Sequence, residues 1–539
     1  MKSRKTYLYN LLFPALLYSA LTGVVVGAVI VLFKFCAGHV IAFSGQVYSL
    51  LRENPPMCAA AAAVLLGFAF LYHIVYRFYP NLRGGGIPTS IGILRGIVSF
   101  RWLHNVAGVF AMSMMTFFIG VPLGTEGPSV QIGTALGRGV TRLGAKKHAA
   151  WDRYLMTGGA CAGFCAATDA PVSGMMFAIE EAHQRISPMI ILVSTISVTM
   201  SKITCVLLSP LLGVDTYLFA PMHLIALKPV DYWLPALIAI AVGLFAVVFL
   251  KYYVFLRALW MKLTSRLPRV LQIFFVLLLT LGFGMPSASN LSSGHHLIEE
   301  LMHGHLVWHL LFAFVIVRMS LMIIAGSTGI TGGMFLPIMA LGAMVSSILG
   351  GFLITHTPLT AGYYPVVVVL GITACIASMM KMPLTAIVFS VEALSAYENI
   401  TPVLLVVVLS YFITELFGVE SINDHVLEHR LEDMRQGKEP VVVDREVTVR
   451  SGSFAIGKQV RDIFWPANLF VLSVQHTTDR QAELDERGDK TIREGDLLQV
   501  RYSTDAPGET ERELAALCGE QPHGTPDSGN TGETQEKNG

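Results

Sequence analysis

The chain has 539 residues, 53% of them apolar and only 14% charged, and its 38 Lys and Arg nearly balance its 37 Asp and Glu. So little charge excludes a soluble enzyme and a disordered chain, and the near-zero net charge leaves no electrostatic footprint for nucleic acid. Half of the charged residues lie in 420–539, which predicts a membrane body followed by a soluble domain.

The chain opens with a basic run, Met1 to Lys5, and an apolar stretch to about Phe35 that lacks a small-residue cleavage site. This predicts a retained first helix, and Lys2, Arg4 and Lys5 favour a cytoplasmic N-terminus. Apolar stretches long enough to span lie near 10–35, 57–79, 103–122, 187–209, 231–258, 268–284, 306–325, 362–378 and 401–418, spanning being a matter of about 20 residues. Shorter apolar pieces lie near 128–141, 156–166, 172–181, 335–353 and 384–394, many interrupted by Gly or Pro. Such pieces predict discontinuous helices that end inside the membrane, where they line a cavity or are buried in protein. The basic run Arg138, Arg142, Lys146, Lys147, Arg153 reads as cytoplasmic. The seven cysteines, Cys36, Cys58, Cys161, Cys165, Cys205, Cys375 and Cys518, are scattered and odd in number, and read as reduced thiols packed in helices.

An internal repeat runs through this body. DAPVSGMMFAIEEA (169–182) aligns with KMPLTAIVFSVEAL (381–394), setting Pro171 on Pro383, Phe177 on Phe389 and Glu180 on Glu392. Upstream, GTEGPSVQIG (124–133) aligns with GMFLPIMALG (333–342), setting Gly124 on Gly333 and Pro128 on Pro337. Two matches in the same order, both spaced by about 210 residues, predict a duplicated membrane unit.

Three Gly-rich pieces, GGGIP (84–88), GTEGPSV (124–130) and GGMFLP (332–337), each precede a short apolar helix. Glycines let backbone approach a ligand, and a helix N-terminus adds unsatisfied donors and partial positive charge. Several such ends converging would bind an anion without a lysine. Glu126 then stands out as a carboxylate at one of these helix starts inside an apolar region. Ionised, it can occupy the anion site; protonated, it releases it, which couples proton to anion.

In this combination and order the motifs resemble those of the CLC chloride-transport family. GTEGPSV is similar to its gating-glutamate motif, GGMFLP to its GxFxP motif, and GGACAGFCAATDAPVSGMMFAIEE (158–181) to its Gly/Ala-rich helix and paired-glutamate segment. The resemblance covers roughly 10–435. It implies an all-α polytopic membrane fold of inverted-topology repeats and broken helices, a homodimer with one anion pathway per subunit, and transport of chloride or a similar monovalent anion in exchange for protons. Carried over, Glu126 is the gating glutamate, and Phe335 and Met334 offer N–H groups to the central anion, as do Gly85, Gly86, Ile87 and Gly127. Glu181 is the internal proton glutamate, whose presence tilts the reading from passive channel to antiporter. Two positions depart from the family: Gly85 stands where it usually has serine, and Asn423 where it usually has tyrosine. With both hydroxyls missing, the backbone N–H groups of Gly85 and Gly86 or the Asn423 amide are the expected substitute donors, and the alternative of a passive, gated anion channel stays open. No cofactor is expected.

Among other charges, Arg318 and Lys381 read as structural, with Glu392 and Glu415 in the same ion network, and Glu180 as a solvated helix end. GHHLIEELMHGH (294–305) sets His295, Glu299 and His303 at i,i+4 spacing but without HExxH order, so no metal site is assigned. A soluble domain is expected over 439–519, with strands at 441–449, 469–476 and 496–503, helical spacing at Ser453–Phe464, turns at Gly488–Asp489 and Gly495–Asp496, and a short helix at Glu509–Leu517. It resembles the TrkA-type C-terminal regulatory domain, a small α+β module that binds a small-molecule ligand in some members. Residues 520–539 have the composition of a disordered tail. These readings place the protein, lipid-embedded, in the cell's inner membrane with both termini cytoplasmic.

Overall fold

The computed structural model describes residues 13–84, 86–143, 151–184, 186–286, 291–304, 308–435, 441–466, 469–476, 483–484, 488–504 and 507–519. The expected disordered tail and Gly85 lie outside these residues. The chain divides into two units, Met1–Gln436 and Gly437–Gly539.

The first unit is built of helices: α1 (Phe13–Glu53), α2 (Met57–Phe78), α3 (Ile87–Leu94), α4 (Trp102–Ile119), α5 (Glu126–Leu143), α6 (Asp152–Thr168), α7 (Pro171–Phe177), α8 (Pro188–Leu212), α9 (Trp233–Thr264), α10 (Arg269–Gly284), α11 (His295–Met302), α12 (Trp308–Thr328), α13 (Phe335–His356), α14 (Tyr364–Met379), α15 (Pro383–Glu392), α16 (Ile400–Leu416) and α17 (Ile422–Arg435). Among the described residues, nine helices are long and apolar enough to cross a membrane. Two expectations change. The first helix continues well past Phe35 to Glu53. The segment 335–353, expected as a short piece, is a 22-residue helix, because no proline beyond its first turn interrupts it.

The repeat is visible as paired geometry. Helices α6 and α14, buried along nearly their whole length, hold equivalent positions, and each is followed by a left-handed residue, Asp169 (φ 61°) and Lys381 (φ 58°). Both copies pack through glycine. A Cβ on Gly133 would lie 2.1 Å from Gly159 O, and one on Gly342 2.5 Å from Gly371 O, so α5 meets α6 and α13 meets α14 at backbone contact. The polar ends are charge-swapped: Asp169 pairs with Lys202, whereas Lys381 pairs with Glu415.

The short helices α7 and α15 run antiparallel, and each is capped by the other's glutamate. Glu180 accepts the N–H groups of Leu384 and Thr385, both at 2.7 Å, and the Thr385 hydroxyl. Glu392 accepts the N–H groups of Val172 and Ser173, both at 2.9 Å, and the Ser173 hydroxyl. Glu180 is therefore a helix cap rather than a solvated end, and Glu392 serves a helix N-terminus rather than an ion pair: the open N–H groups of a first turn attract a carboxylate. Arg318 is structural as expected, donating to the carbonyls of Leu291 and Ser292.

The second unit holds a sheet of order β1-β4-β2-β3, with β1 (Val441–Thr448), β2 (Leu469–Gln475), β3 (Glu483–Leu484) and β4 (Leu497–Thr504), all pairs antiparallel, followed by α18 (Pro507–Cys518). One face alternates into the core through Val447, Leu498, Val500 and Tyr502. The helix expected over Ser453–Phe464 is absent: among these residues only Val460–Asp462 makes a 3₁₀ turn. Gly457 takes φ 79°, and the segment bonds outward instead, Gly457 to Ile492 O and Val460 to Lys490 O.

Candidate functional site

The three Gly-rich segments meet at one place. Gly124 and Gly333 exchange backbone hydrogen bonds of 2.7 and 2.9 Å, and Gly84 donates to Gly329 O at 2.7 Å. A Cβ on Gly127 would lie 2.6 Å from Gly333 Cα and 3.0 Å from Gly86 Cα. Nothing larger than glycine lets these strands of backbone touch. Hydroxyls fasten the junction from behind: Tyr76 bonds to Thr331 Oγ1 at 2.7 Å, Thr331 donates to Leu82 O, and Thr116 donates to Thr331 O at 2.6 Å.

Three helix N-termini therefore converge, those of α3 at Ile87, α5 at Glu126 and α13 at Phe335, the last capped by Met334. Each brings first-turn N–H groups without an intrahelical acceptor. The Gly86 N–H is already committed, donating to Gln131 Oε1 at 2.7 Å, so of the donors expected on this loop Gly86 is spent on the protein itself. Gly86 takes φ 89°, which suits only glycine. Phe335 packs edge-on against Phe164 (centroids 5.2 Å) and Phe389 (5.5 Å), and Phe164 stacks on Phe177 at the end of α7.

Glu126 lies at this junction, 0% exposed. Its Oε1 accepts from the Thr125 hydroxyl at 3.0 Å, and its Oε2 is buried without a hydrogen-bond partner among the described residues. The side chain folds back over Gly124, whose Cβ would meet Oε2 at 2.4 Å. An underbonded buried carboxyl beside several helix N-termini is arranged to exchange with an anion or to take a proton.

Glu181 occupies a second buried place, 2% exposed, in the π-turn Ala178–Ala182 that follows α7. Such one-turn widenings recur at functional sites. Its Oε1 accepts from Asn423 Nδ2 at 2.9 Å and lies 3.5 Å from Ser421 Oγ. Arg95, at the end of α3, donates to the Glu181 and Ala182 carbonyls and pairs with Asp424 at 3.0 Å. Asn423 was expected to donate to the anion. In the structure one N–H of its amide donates to Glu181, α17 beginning directly beside the π-turn.

The family model of the voltage gated chloride channel matches residues 67–415. The chain belongs to this family. Among curated relatives, the H(+)/Cl(−) exchange transporter ClcA of Vibrio vulnificus is 28% identical over 437 residues, covering 78% of this chain and 90% of that one. The protein of the same name from Vibrio campbellii is 26% identical over 431 residues, with the same coverage. Among solved structures, a slow cyanobacterial Cl−/H+ antiporter superposes with TM-score 0.70 at 21% identity, covering 78% of this chain and 99% of that one. A CLC-type fluoride/proton antiporter superposes at 0.63 and 18% identity, covering 76% and 97%. These two likenesses bear on the fold.

Within this voltage gated chloride channel fold, sequence reasoning located Glu126, Gly127, Met334 and Phe335 at the junction and Glu181 apart from them. It missed Gln131, Thr116, Thr331 and Tyr76, whose polar groups lie in ordinary helical runs and give no signal until the loops are folded together. His295 and His296 both approach Glu299 Oε2, at 3.4 and 3.5 Å, with His296 and Glu299 at the surface.

Proposed function

We propose that the protein is an integral-membrane antiporter that exchanges chloride or a similar monovalent anion for protons. The observation that carries this reading is the convergence of the α3, α5 and α13 N-termini on the buried, half-bonded carboxyl of Glu126. An anion is held there by first-turn N–H groups, among them those of Ile87, Gly127, Met334 and Phe335, without a full counter-charge that would trap it. Glu126 competes for the same donors when ionised and withdraws when protonated, so one carboxyl serves both ions. Glu181 accepts protons on the other side of the exchange. The ClcA relatives, named as H(+)/Cl(−) exchangers, support the choice of ions.

The protein works in the inner membrane as a homodimer with both termini in the cytoplasm. Exposed apolar side chains such as Val248, Leu404, Val408 and Phe412 suit lipid and a second copy. The C-terminal unit is a TrkA-like regulatory module for a small-molecule ligand, consistent with its strands and terminal helix.

Paired proton and chloride fluxes in proteoliposomes test the assignment. Glu126→Ala should abolish proton movement while chloride still passes. An E126A protein that still drives protons with an anion gradient overturns the role of Glu126.

A further inference from the structure

The contact between Asn423 and Glu181 joins two parts of the fold that the transport reading otherwise leaves separate. Glu181 has one buried oxygen with a firm donor: Asn423 Nδ2 lies 2.9 Å from Oε1. Ser421 is 3.5 Å from the same oxygen but makes its shorter bond, 3.0 Å, to Met380 O, and its oxygen in turn accepts the Asn423 N–H at 3.2 Å. Its single proton cannot serve both acceptors, so Asn423 is the effective partner. Asn423 is itself 3% exposed, and its position is fixed as the second residue of α17. The neighbouring charges do not replace it. Arg95 reaches the Glu181 backbone carbonyl and Asp424, not the carboxyl, and Asp424 carries the same sign as Glu181.

We propose that Asn423 is a positioning residue for proton transfer at Glu181, and not a ligand of the transported anion. This rests on the reading of Glu181 as the internal proton acceptor. An amide N–H does not release its proton in this range, so it holds Oε1 as an acceptor and leaves Oε2 as the oxygen that takes up and gives back the proton. The bond also fixes the carboxyl against α17. Arg95 binds the same π-turn from the far end of α3, the helix whose first residue, Ile87, stands at the Gly-rich junction. The protonation geometry of Glu181 is thereby set by the elements that also frame the anion's route.

The test is paired proton and chloride flux in proteoliposomes for the wild type, N423A, N423D, E181Q and N423A/E181Q. N423A should lower the protons carried per chloride about tenfold, the scale of one hydrogen bond to a charged acceptor, with chloride flux retained. N423D keeps the shape and replaces the donor by an acceptor, and should show the same loss even if N423A folds poorly. The double variant should behave as E181Q alone, since both changes act on one group. The proposal is overturned if N423A and N423D keep the wild-type ratio, or if they lose proton and chloride flux together, which would make Asn423 part of the anion's path. If E181Q carries protons as the wild type does, the reading of Glu181 fails instead, independently of Asn423.

Discussion

Gly124 and Gly333 donate to each other's carbonyl, at 2.7 and 2.9 Å, and each is the other's counterpart in the internal repeat. A residue can exchange equivalent bonds with its own repeat mate only on the local two-fold axis that relates the copies. Glu126 follows one member of the pair and Phe335 the other, so the junction where α5 and α13 begin lies on that axis. The proposed anion site would therefore be assembled from both halves, while the Glu126 carboxyl belongs to one half only.

The same axis exchanges the caps. Glu180→Gln and Glu392→Gln each remove a carboxylate from a helix N-terminus in the opposite copy. Each should cost about 1–2 kcal/mol, and the two costs should add, because about 15 Å of helix separates the ends. Thermal unfolding in detergent measures this. A much larger effect for one glutamate than the other would show that the pair is not equivalent.

Gly127→Ala and Gly333→Ala place a Cβ within 2.6 Å of the facing backbone. Both should disable transport by forcing the loops apart. Gly38→Ala, in α1 where nothing lies within 4 Å, should leave transport unchanged and gain about 0.5–1 kcal/mol of stability. Flux assays beside melting curves separate the two classes.

In the C-terminal unit, burial holds the Lys458 ammonium down to about 7, from an ordinary 10.5. It lies over the Phe454 ring and donates to Phe454 O. Between about pH 7 and 10.5 the unfolded chain binds this proton and the folded unit does not, so stability should rise with pH across that window and level off below it. Protease protection of residues 441–519 in the full-length protein, titrated with urea at several pH values, should show the slope in the wild type and lose most of it in Lys458→Met. An equal slope in both would remove Lys458 as its source.

The sequence made the junction legible for a physical reason. Glycine clusters and a carboxylate within an apolar run are costly anomalies that folding must justify, so Glu126 and the loops of Gly127 and Gly333 announce themselves. The repeat alignment likewise set Glu180 opposite Glu392. It did not reveal that each caps the other's neighbouring helix, since that depends on the antiparallel crossing of α7 and α15. Asn423 was placed by alignment, but alignment fixes a backbone position and not the direction of a side chain, and the buried Glu181 carboxyl decides that direction. Ser453–Phe464 carries apolar residues at helical spacing, yet Gly457 and the backbone bonds to 488–492 draw it into a looped path.

Coupling is tested most directly with the wild-type protein in proteoliposomes holding a chloride gradient and no pH gradient, the membrane potential clamped. The expected result is uphill proton movement in the direction opposite to chloride, abolished by Glu126→Gln. Chloride flux with no accompanying proton movement would contradict the exchange of anion for proton.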